Sequence, residues 1–445
     1  MTKLTGIKHY TTATKGTGGA IKKRVSDFIV QEITLEGKTL ENTAFGEWPE
    51  KRGTKLVIPE SQGKEQLHLT MEKFNKDTND AVRQIARHCR VSQKRIGYAG
   101  MKDKRAITAQ RISVWRPDVE RLEGFDKRYV ALRDAEWGDE RIEIGSLEGN
   151  RFTITIREIG LSEEELGKTI EQCFEEMREG VANYFGEQRF GGAREITHVV
   201  GREFIKGNFE KGVMLYLTSP SKEEEEISIA RKNLADTKDF AKAVKEFPSK
   251  FRYERSIIHH LCRYPKDFVG AFQNMPKHLT YMFTHAYQSY LFNQVINKRI
   301  ETGLGLKPVE GDVLQDGAAT APLFGFESEL SGGKPGEIEK DVLVEEGASL
   351  GEFKVKSFPE LSCRGARKKM LLIPHELEIV SIGEDELNTG KLKAKIGFRL
   401  EKGAYATTIL REIMKNHGMQ GKAHARAKNS AKTLEKAEKS PLNTH

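Results

Sequence analysis

The chain has 445 residues, enough for two or three domains with separate cores. Its 73 basic and 65 acidic residues give a net charge of +8, a balance that permits nucleic-acid binding without demanding it. No apolar run is long enough to span a bilayer, and the N-terminal M-T-K-L-T-G-I-K-H-Y lacks the apolar core of a signal peptide. Cys89, Cys173, Cys262 and Cys363 are too widely spaced for a zinc ribbon or a redox pair. The expectation is a cytoplasmic protein with reduced thiols.

Along the chain, K-G-T-G-G at residues 15–19 is a turn. It lacks the G-K-[ST] ending of a phosphate-binding loop. The run Val25–Ile33 alternates as a strand, and His68–Lys73 is a second. Thr78, Asn79 and Asp80 supply caps for a helix whose apolar stripe is Val82, Ile85, Ala86 and Cys89. A strand is expected over Ile96–Ala99, then a loop, then a strand over Arg111–Trp115. Residues 150–158 alternate as a strand. Ser162 and Glu165 have capping-box spacing before a helix with Leu166, Ile170, Phe174 and Met177 on its buried face.

N-Y-F-G-E-Q-R-F-G-G follows at 183–192. From about 209 to 300 the pattern is mainly helical, with Pro276 opening a long helix that contains A-Y-Q-S-Y-L-F-N. Residues 302–340 are Gly-rich and loop-like, and 391–400 alternate again as a strand before a final helix. From about Gly418 the chain has almost no large apolar residues and reads as a flexible basic tail. The pairs His259/His260 and His278/His285 have no convincing ligand spacing, so no metal is assigned. Ser289 has no neighbouring His and Asp pattern and reads as helix packing.

The most informative stretch is I-G-Y-A-G-M-K-D-K-R-A-I-T-A-Q-R-I-S-V at 96–114. Asp103 stands alone among Lys102, Lys104 and Arg105 on the expected loop, where catalytic groups are commonly held. By charge pattern alone this is a surface ion pair. It also suits a carboxylate that works beside phosphates, because cations recruit a polyanion and favour the ionised carboxylate.

What separates the two readings is the surrounding motif, which resembles the G-x-K-D-x-x-A-x-T-x-Q active-site block of the TruD family of tRNA pseudouridine synthases. Gly100, Lys102, Asp103, Ala106, Thr108 and Gln110 carry it. G-T-G-G-A-I-K, S-D-F-I-V-Q-E, N-Y-F-G-E-Q-R-F-G, A-Y-Q-S-Y-L-F-N, R-G-A-R-K-K-M and G-A-Y-A-T-T-I-L-R-E resemble further blocks of the family, from about Gly16 to Met414. Where the family often has Pro-Glu-Asp-Phe, this chain has Val25, Ser26, Asp27 and Phe28.

The resemblance implies an α+β pseudouridine-synthase fold around a mainly antiparallel central sheet, with an α/β insertion domain. The expected division is a catalytic domain over 1–208 and 374–417, an insertion over 209–373 and a tail over 418–445, with the active site in the cleft between catalytic and insertion domains. The implied activity is isomerisation of uridine to pseudouridine in RNA, at uridine 13 of tRNA, with Asp103 as the catalytic residue and no cofactor. The C1′–N1 bond breaks, the base turns, and it rejoins through C5. The carboxylate either adds covalently to sugar or base, or removes the C2′ proton to give a glycal.

Phe28, Asn183, Phe185 and Tyr405 are implied at the uridine site, Tyr405 where the family can carry Phe; a ring there can stack on the base. Lys22 is expected to bind a phosphate or to pair with a carboxylate near Asp103. Lys102, Lys104, Arg105 and Arg189 are candidates for backbone contacts. The partner implied is tRNA, with no membrane and no obligate protein partner. A catalytically idle RNA chaperone would need the same basic surface but not Asp103. A metal-dependent nuclease would need clustered carboxylates, which the sequence does not show near Asp103.

Overall fold

The computed structural model describes residues 5–50, 56–192, 194–220 and 224–416. The tail expected at 418–445 lies outside them. The chain divides into two compact units, one formed by Thr12–Gly180 with the chain from Ile373 on, the other by Met1–Thr11 and Val181–Leu372.

The first unit opens with β1 (Phe28–Ile33), β2 (Gln66–Phe74), α1 (Thr78–His88), β3 (Ile96–Tyr98), β4 (Ile107–Trp115), α2 (Val119–Glu123), β5 (Val130–Gly138), β6 (Gly149–Ile159) and α3 (Glu163–Met177). The expected strand at Val25 begins only at Phe28. Val25–Asp27 is a 3-10 turn, closed where the Asp27 carboxylate accepts the Arg24 N–H at 2.7 Å. β1 runs parallel to β4, with Val30 opposite Thr108, and antiparallel to β6, with Phe28 opposite Ile154.

β4 starts four residues earlier than alternation indicated. Ile107, Thr108, Ala109 and Gln110 are all buried, being covered on both faces, so no period of two marks them. α1 is capped by Asp77, whose carboxylate accepts the Asn79 N–H at 2.9 Å. Its stripe of Val82, Ile85, Ala86 and Cys89 packs on Leu67, Leu69, Ile112 and Val114. α3 begins on Ser162 with the expected capping box to Glu165.

The second unit holds β7 (Val181–Ala182), α4 (Thr197–Ile205), α5 (Phe209–Thr218), α6 (Glu225–Thr237), α7 (Phe240–Glu246), α8 (Arg252–Arg263), α9 (Phe268–Gln273), α10 (Lys277–Glu301), β8 (Leu314–Gln315), β9 (Ala318–Leu323), α11 (Gly333–Glu345), β10 (Ala366–Lys369) and β11 (Leu371–Leu372). β8, β9 and β10 form a small antiparallel sheet, and β11 pairs with β7. Through that pairing and the apolar packing of α4, residues 181–208 group with 209–372 rather than with the preceding chain, where the sequence suggested they belong. α11 and β9 occupy a region that reads as loop. In α11 Pro335 sits in the first turn, where a missing N–H costs nothing, and Ile338, Val342 and Leu343 are buried at helical spacing.

The chain returns to the first unit with β12 (His375–Glu384), β13 (Leu392–Glu401) and α12 (Ala406–Met414), completing a sheet of order β12-β13-β6-β1-β4-β2-β5 with β3 against β4. All its neighbours are antiparallel except β1 and β4, so the fold is the expected α+β class. The glycine-rich turn wraps α12. Thr17 N–H donates to Ile413 O at 2.9 Å and Gly18 N–H to Met414 O at 3.1 Å. A Cβ at Gly16 would stand 2.5 Å from Met414 O, so the close approach requires glycine.

Arg157 on β6 ties these segments together. Its guanidinium is 4% exposed and reaches Asp27 and Asp385 at 2.8 Å each, and Glu386 at 3.1 Å. Hydrogen bonds from Arg157 first, and then from Lys393, hold the Glu386 carboxyl down at about 2. Arg157→Met leaves Asp27 and Asp385 buried without their cation, and urea unfolding at neutral pH is expected to show a loss of about 3 kcal/mol or more. Because the folded-state carboxyl is depressed, its contribution is complete above the unfolded carboxylate range and disappears as pH falls through about 2. The stability gap between wild type and variant should therefore narrow between roughly pH 5 and pH 2.

Candidate active site

The loop carrying Asp103 joins β3 to β4, and its main chain is tethered along its length. Gln110 Nε2 donates to Gly100 O at 3.0 Å. The Thr78 hydroxyl accepts the Lys102 N–H at 3.2 Å and donates to Gln110 Oε1 at 3.3 Å. Asn75 N–H donates to Ala106 O at 3.0 Å. From below, the fully buried Lys73 of β2 donates through Nζ to Asp103 O at 2.6 Å and to Lys102 O at 3.4 Å. The motif's glutamine thus shapes the loop, and Lys73 closes its underside.

The cations that flank Asp103 in sequence do not share its surface. Lys102 turns inward and pairs with Glu32 of β1 at 2.6 Å, both side chains being almost fully buried. That ammonium is not presented for the phosphate contact expected of it, because the buried Glu32 carboxylate, which also accepts the Arg111 N–H at 3.0 Å, needs a cation. Arg105 holds main chain, donating to Lys22 O and Lys23 O at 2.8 Å each. Lys104 is exposed.

The cation that meets Asp103 is Lys22, 81 positions earlier, with Nζ 2.8 Å from Oδ1. Asp103 Oδ2 has no protein donor among the described residues. The Asp103 side chain is 39% exposed and Lys22 18%. Lys22 adopts φ +58°, an uncommon conformation for a residue other than glycine, held here by a local constraint. The Arg105 clamp on its carbonyl supplies that constraint. The same ammonium lies 3.9 Å from the centroid of the Phe28 ring, a cation–π contact. Phe28 is buried, edge-on to Phe152 at 6.3 Å. Burial pushes Lys73 down to about 8, against the attraction of Asp103 and Asp77.

Lys22, Phe28 and Asp103 are therefore assembled in the first unit. Tyr405, at the N-cap of α12, is 46% exposed and makes no hydrogen bond or ring contact with them. Asn183, Phe185 and Arg189 form a separate group in the second unit. Asn183 donates through Nδ2 to Lys369 O at 2.9 Å, and its buried Oδ1 has no donor. Phe185 is edge-on to Phe292 at 5.4 Å, with the guanidinium of Arg189 5.8 Å and the ammonium of Lys368 5.2 Å from its ring centroid.

Lys73 and Lys368 escaped the sequence reading. Lys73 ends a strand at a position buried on both faces, a weak signal. Lys368 lies within R-G-A-R-K-K-M, where four similar cations give no sign of which is unpaired.

The Lys102–Glu32 pair makes a specific prediction. Glu32→Gln strands a buried ammonium and should lower the stability read by urea unfolding by about 3 kcal/mol, whereas Glu32→Leu with Lys102→Met should lose markedly less.

Among the described residues no three His, Cys, Asp or Glu side chains converge as a metal-ligand group, and no helix is long and apolar enough to cross a membrane. The sequence model of the family described as tRNA pseudouridine synthase D (TruD) matches residues 4–319 and 315–413. A relative from Methanosarcina acetivorans, named "Probable tRNA pseudouridine synthase D", is 39% identical over 456 residues, covering 94% of this chain and 97% of its own. A relative of the same name from Methanopyrus kandleri is 42% identical over 357 residues, covering 78% and 85%. The crystal structure of a TruD protein from Methanosarcina mazei superposes with a TM-score of 0.77 at 37% identity, over 94% of this chain and 98% of that one. Matched over most of its length in sequence and in fold, this chain belongs to the TruD family and is an enzyme of the isomerase class.

Proposed function

We propose that this protein converts uridine to pseudouridine in tRNA, at uridine 13, with Asp103 as the reacting carboxylate and with no cofactor or protein partner, in the cytoplasm. The names of its relatives support tRNA as the substrate. The observation that carries the residue assignment is the Asp103 carboxylate itself. It is partly exposed on a tethered loop, with Oδ1 held by Lys22 and Oδ2 without a donor among the described residues.

The chemistry fits that arrangement. The glycosidic C1′–N1 bond breaks, the base turns, and a C1′–C5 bond forms. C5 loses its proton and N1 gains one, so product and substrate have the same atoms. Addition of the carboxylate to sugar or base, and abstraction of the C2′ proton, both need an ionised carboxylate within reach of a nucleotide taken out of its stack. Lys22 restrains Asp103 through one oxygen, so the carboxylate does not have to be ordered at the moment of reaction. Asn183, Phe185 and Tyr405 are proposed to receive the base and sugar, with Phe28 supporting the site through Lys22. Arg189 is proposed to contact the backbone.

The test is tritium release from unmodified tRNA transcripts labelled at C5 of uridine, without added metal or nucleotide. Wild type should release tritium. Asp103→Asn and Asp103→Ala should lower release by at least about 1,000-fold, as expected for loss of a reacting group, while RNA affinity stays within a few-fold. Near-normal release by either purified variant contradicts the assignment of Asp103.

A further inference from the structure

Lys368 lies on β10 between two lysine and arginine neighbours that each have a carboxylate. Arg367 pairs with Glu339 at 2.7 Å and Lys369 with Asp316 at 3.3 Å. Lys368 has none among the described residues. Its ammonium stands 5.2 Å from the Phe185 centroid and 5.5 Å from that of Phe292. Arg189 approaches the same Phe185 ring at 5.8 Å, and its guanidinium donates from Nε to the Ser289 hydroxyl at 3.0 Å, with no carboxylate partner among the described residues. Two cations thus approach one aromatic ring with no carboxylate paired to either among the described residues.

Two residues before Phe185, the Asn183 side chain is 94% buried with Oδ1 unpartnered, although its Nδ2 is fixed on Lys369 O and its N–H on Met370 O. A buried polar group without a protein partner is open to completion by water or a ligand, and this one lies two residues from the ring that both cations approach.

We propose that Lys368, with Arg189, binds a backbone phosphate of the RNA substrate, a role that rests on the reading of this protein as a tRNA-acting synthase. A phosphate supplies the missing negative charge and accepts from both cations, and a ribonucleotide also carries the hydroxyl donor that Asn183 Oδ1 lacks. Burial alone pushes free Lys368 down to about 7, so phosphate binding draws a proton onto it near neutrality. One neighbouring group is shifted away from that window. His285, on the helix that carries Phe292, is lowered by burial first and by Arg189 second, and is neutral above it. The flanking lysine and arginine are paired with carboxylates.

The experiment compares wild type, Lys368→Arg and Lys368→Met in RNA affinity and tritium release. Wild-type affinity should fall roughly 20-fold between about pH 6.5 and 8.5, following loss of one proton. Lys368→Arg keeps its charge, and its profile should be nearly flat. Any residual slope in it comes from other groups, Lys73 among them. Lys368→Met should bind about tenfold more weakly at the acid end, and the slope of log affinity against log salt should shrink by about 0.7 to 0.9, the signature of one lost phosphate contact. Its melting temperature should equal or exceed that of wild type, because a buried unpaired amine has been removed.

Unchanged affinity and salt slope in Lys368→Met, beside an active wild type, overturn the phosphate site alone. So does a Lys368→Arg profile that falls as the wild type does. A wild type that releases no tritium overturns the synthase reading instead.

Discussion

A lysine and an aspartate 81 positions apart meet at 2.8 Å, and the surrounding elements of the first unit are arranged so that they can. Neither end of that contact is free to drift. Asp103 rides on a loop held by Gln110, Thr78 and Lys73, and Lys22 is held in a left-handed backbone conformation while Arg105 grips its carbonyl. The parallel pairing of β1 with β4 brings these segments side by side, since one follows Lys22 and the other follows Asp103. A carboxylate prepared in this way keeps one oxygen anchored and the other available, which suits a group that must act on a nucleotide rather than stabilise a surface.

The cations of the site divide by function once their positions are known. Lys102 neutralises a buried glutamate, Arg105 fixes main chain, Lys73 supports the loop from inside, and Lys22 restrains the carboxylate. Of the cations in the K-D-K-R run, only Lys104 is exposed. A stretch that looks like a basic patch is therefore mainly internal scaffolding, and electrostatic attraction for RNA must come from other positions. In the second unit, Lys368 and Arg189 on Phe185 are cations with no carboxylate partner among the described residues.

Much of this was legible before any coordinates. The motif around Asp103, the stripe of α1, the capping box of α3 and the long helix opened by Pro276 all depend on local periodicity or end chemistry, which sequence displays directly. Lys102 was misjudged because its inward direction depends on Glu32, a residue 70 positions away, and a lysine in a polar loop carries no mark of burial. The first residues of β4 were missed because a strand covered on both faces has no alternation. α11 was hidden by glycines and a proline that act at its start rather than against it. The placement of 181–208 turned on the two-residue pairing of β7 with β11, too short to leave a pattern.

The central claim is that Asp103 reacts with a uridine taken out of its stack. Its most direct test is a crystal structure of Asp103→Asn bound to an RNA that presents uridine 13 of tRNA. The account predicts the flipped uridine with its ribose or base within about 3.5 Å of the residue 103 amide, the separation of a near-attack arrangement. A uridine still stacked in the RNA, or bound with residue 103 out of reach of both sugar and base, would contradict it.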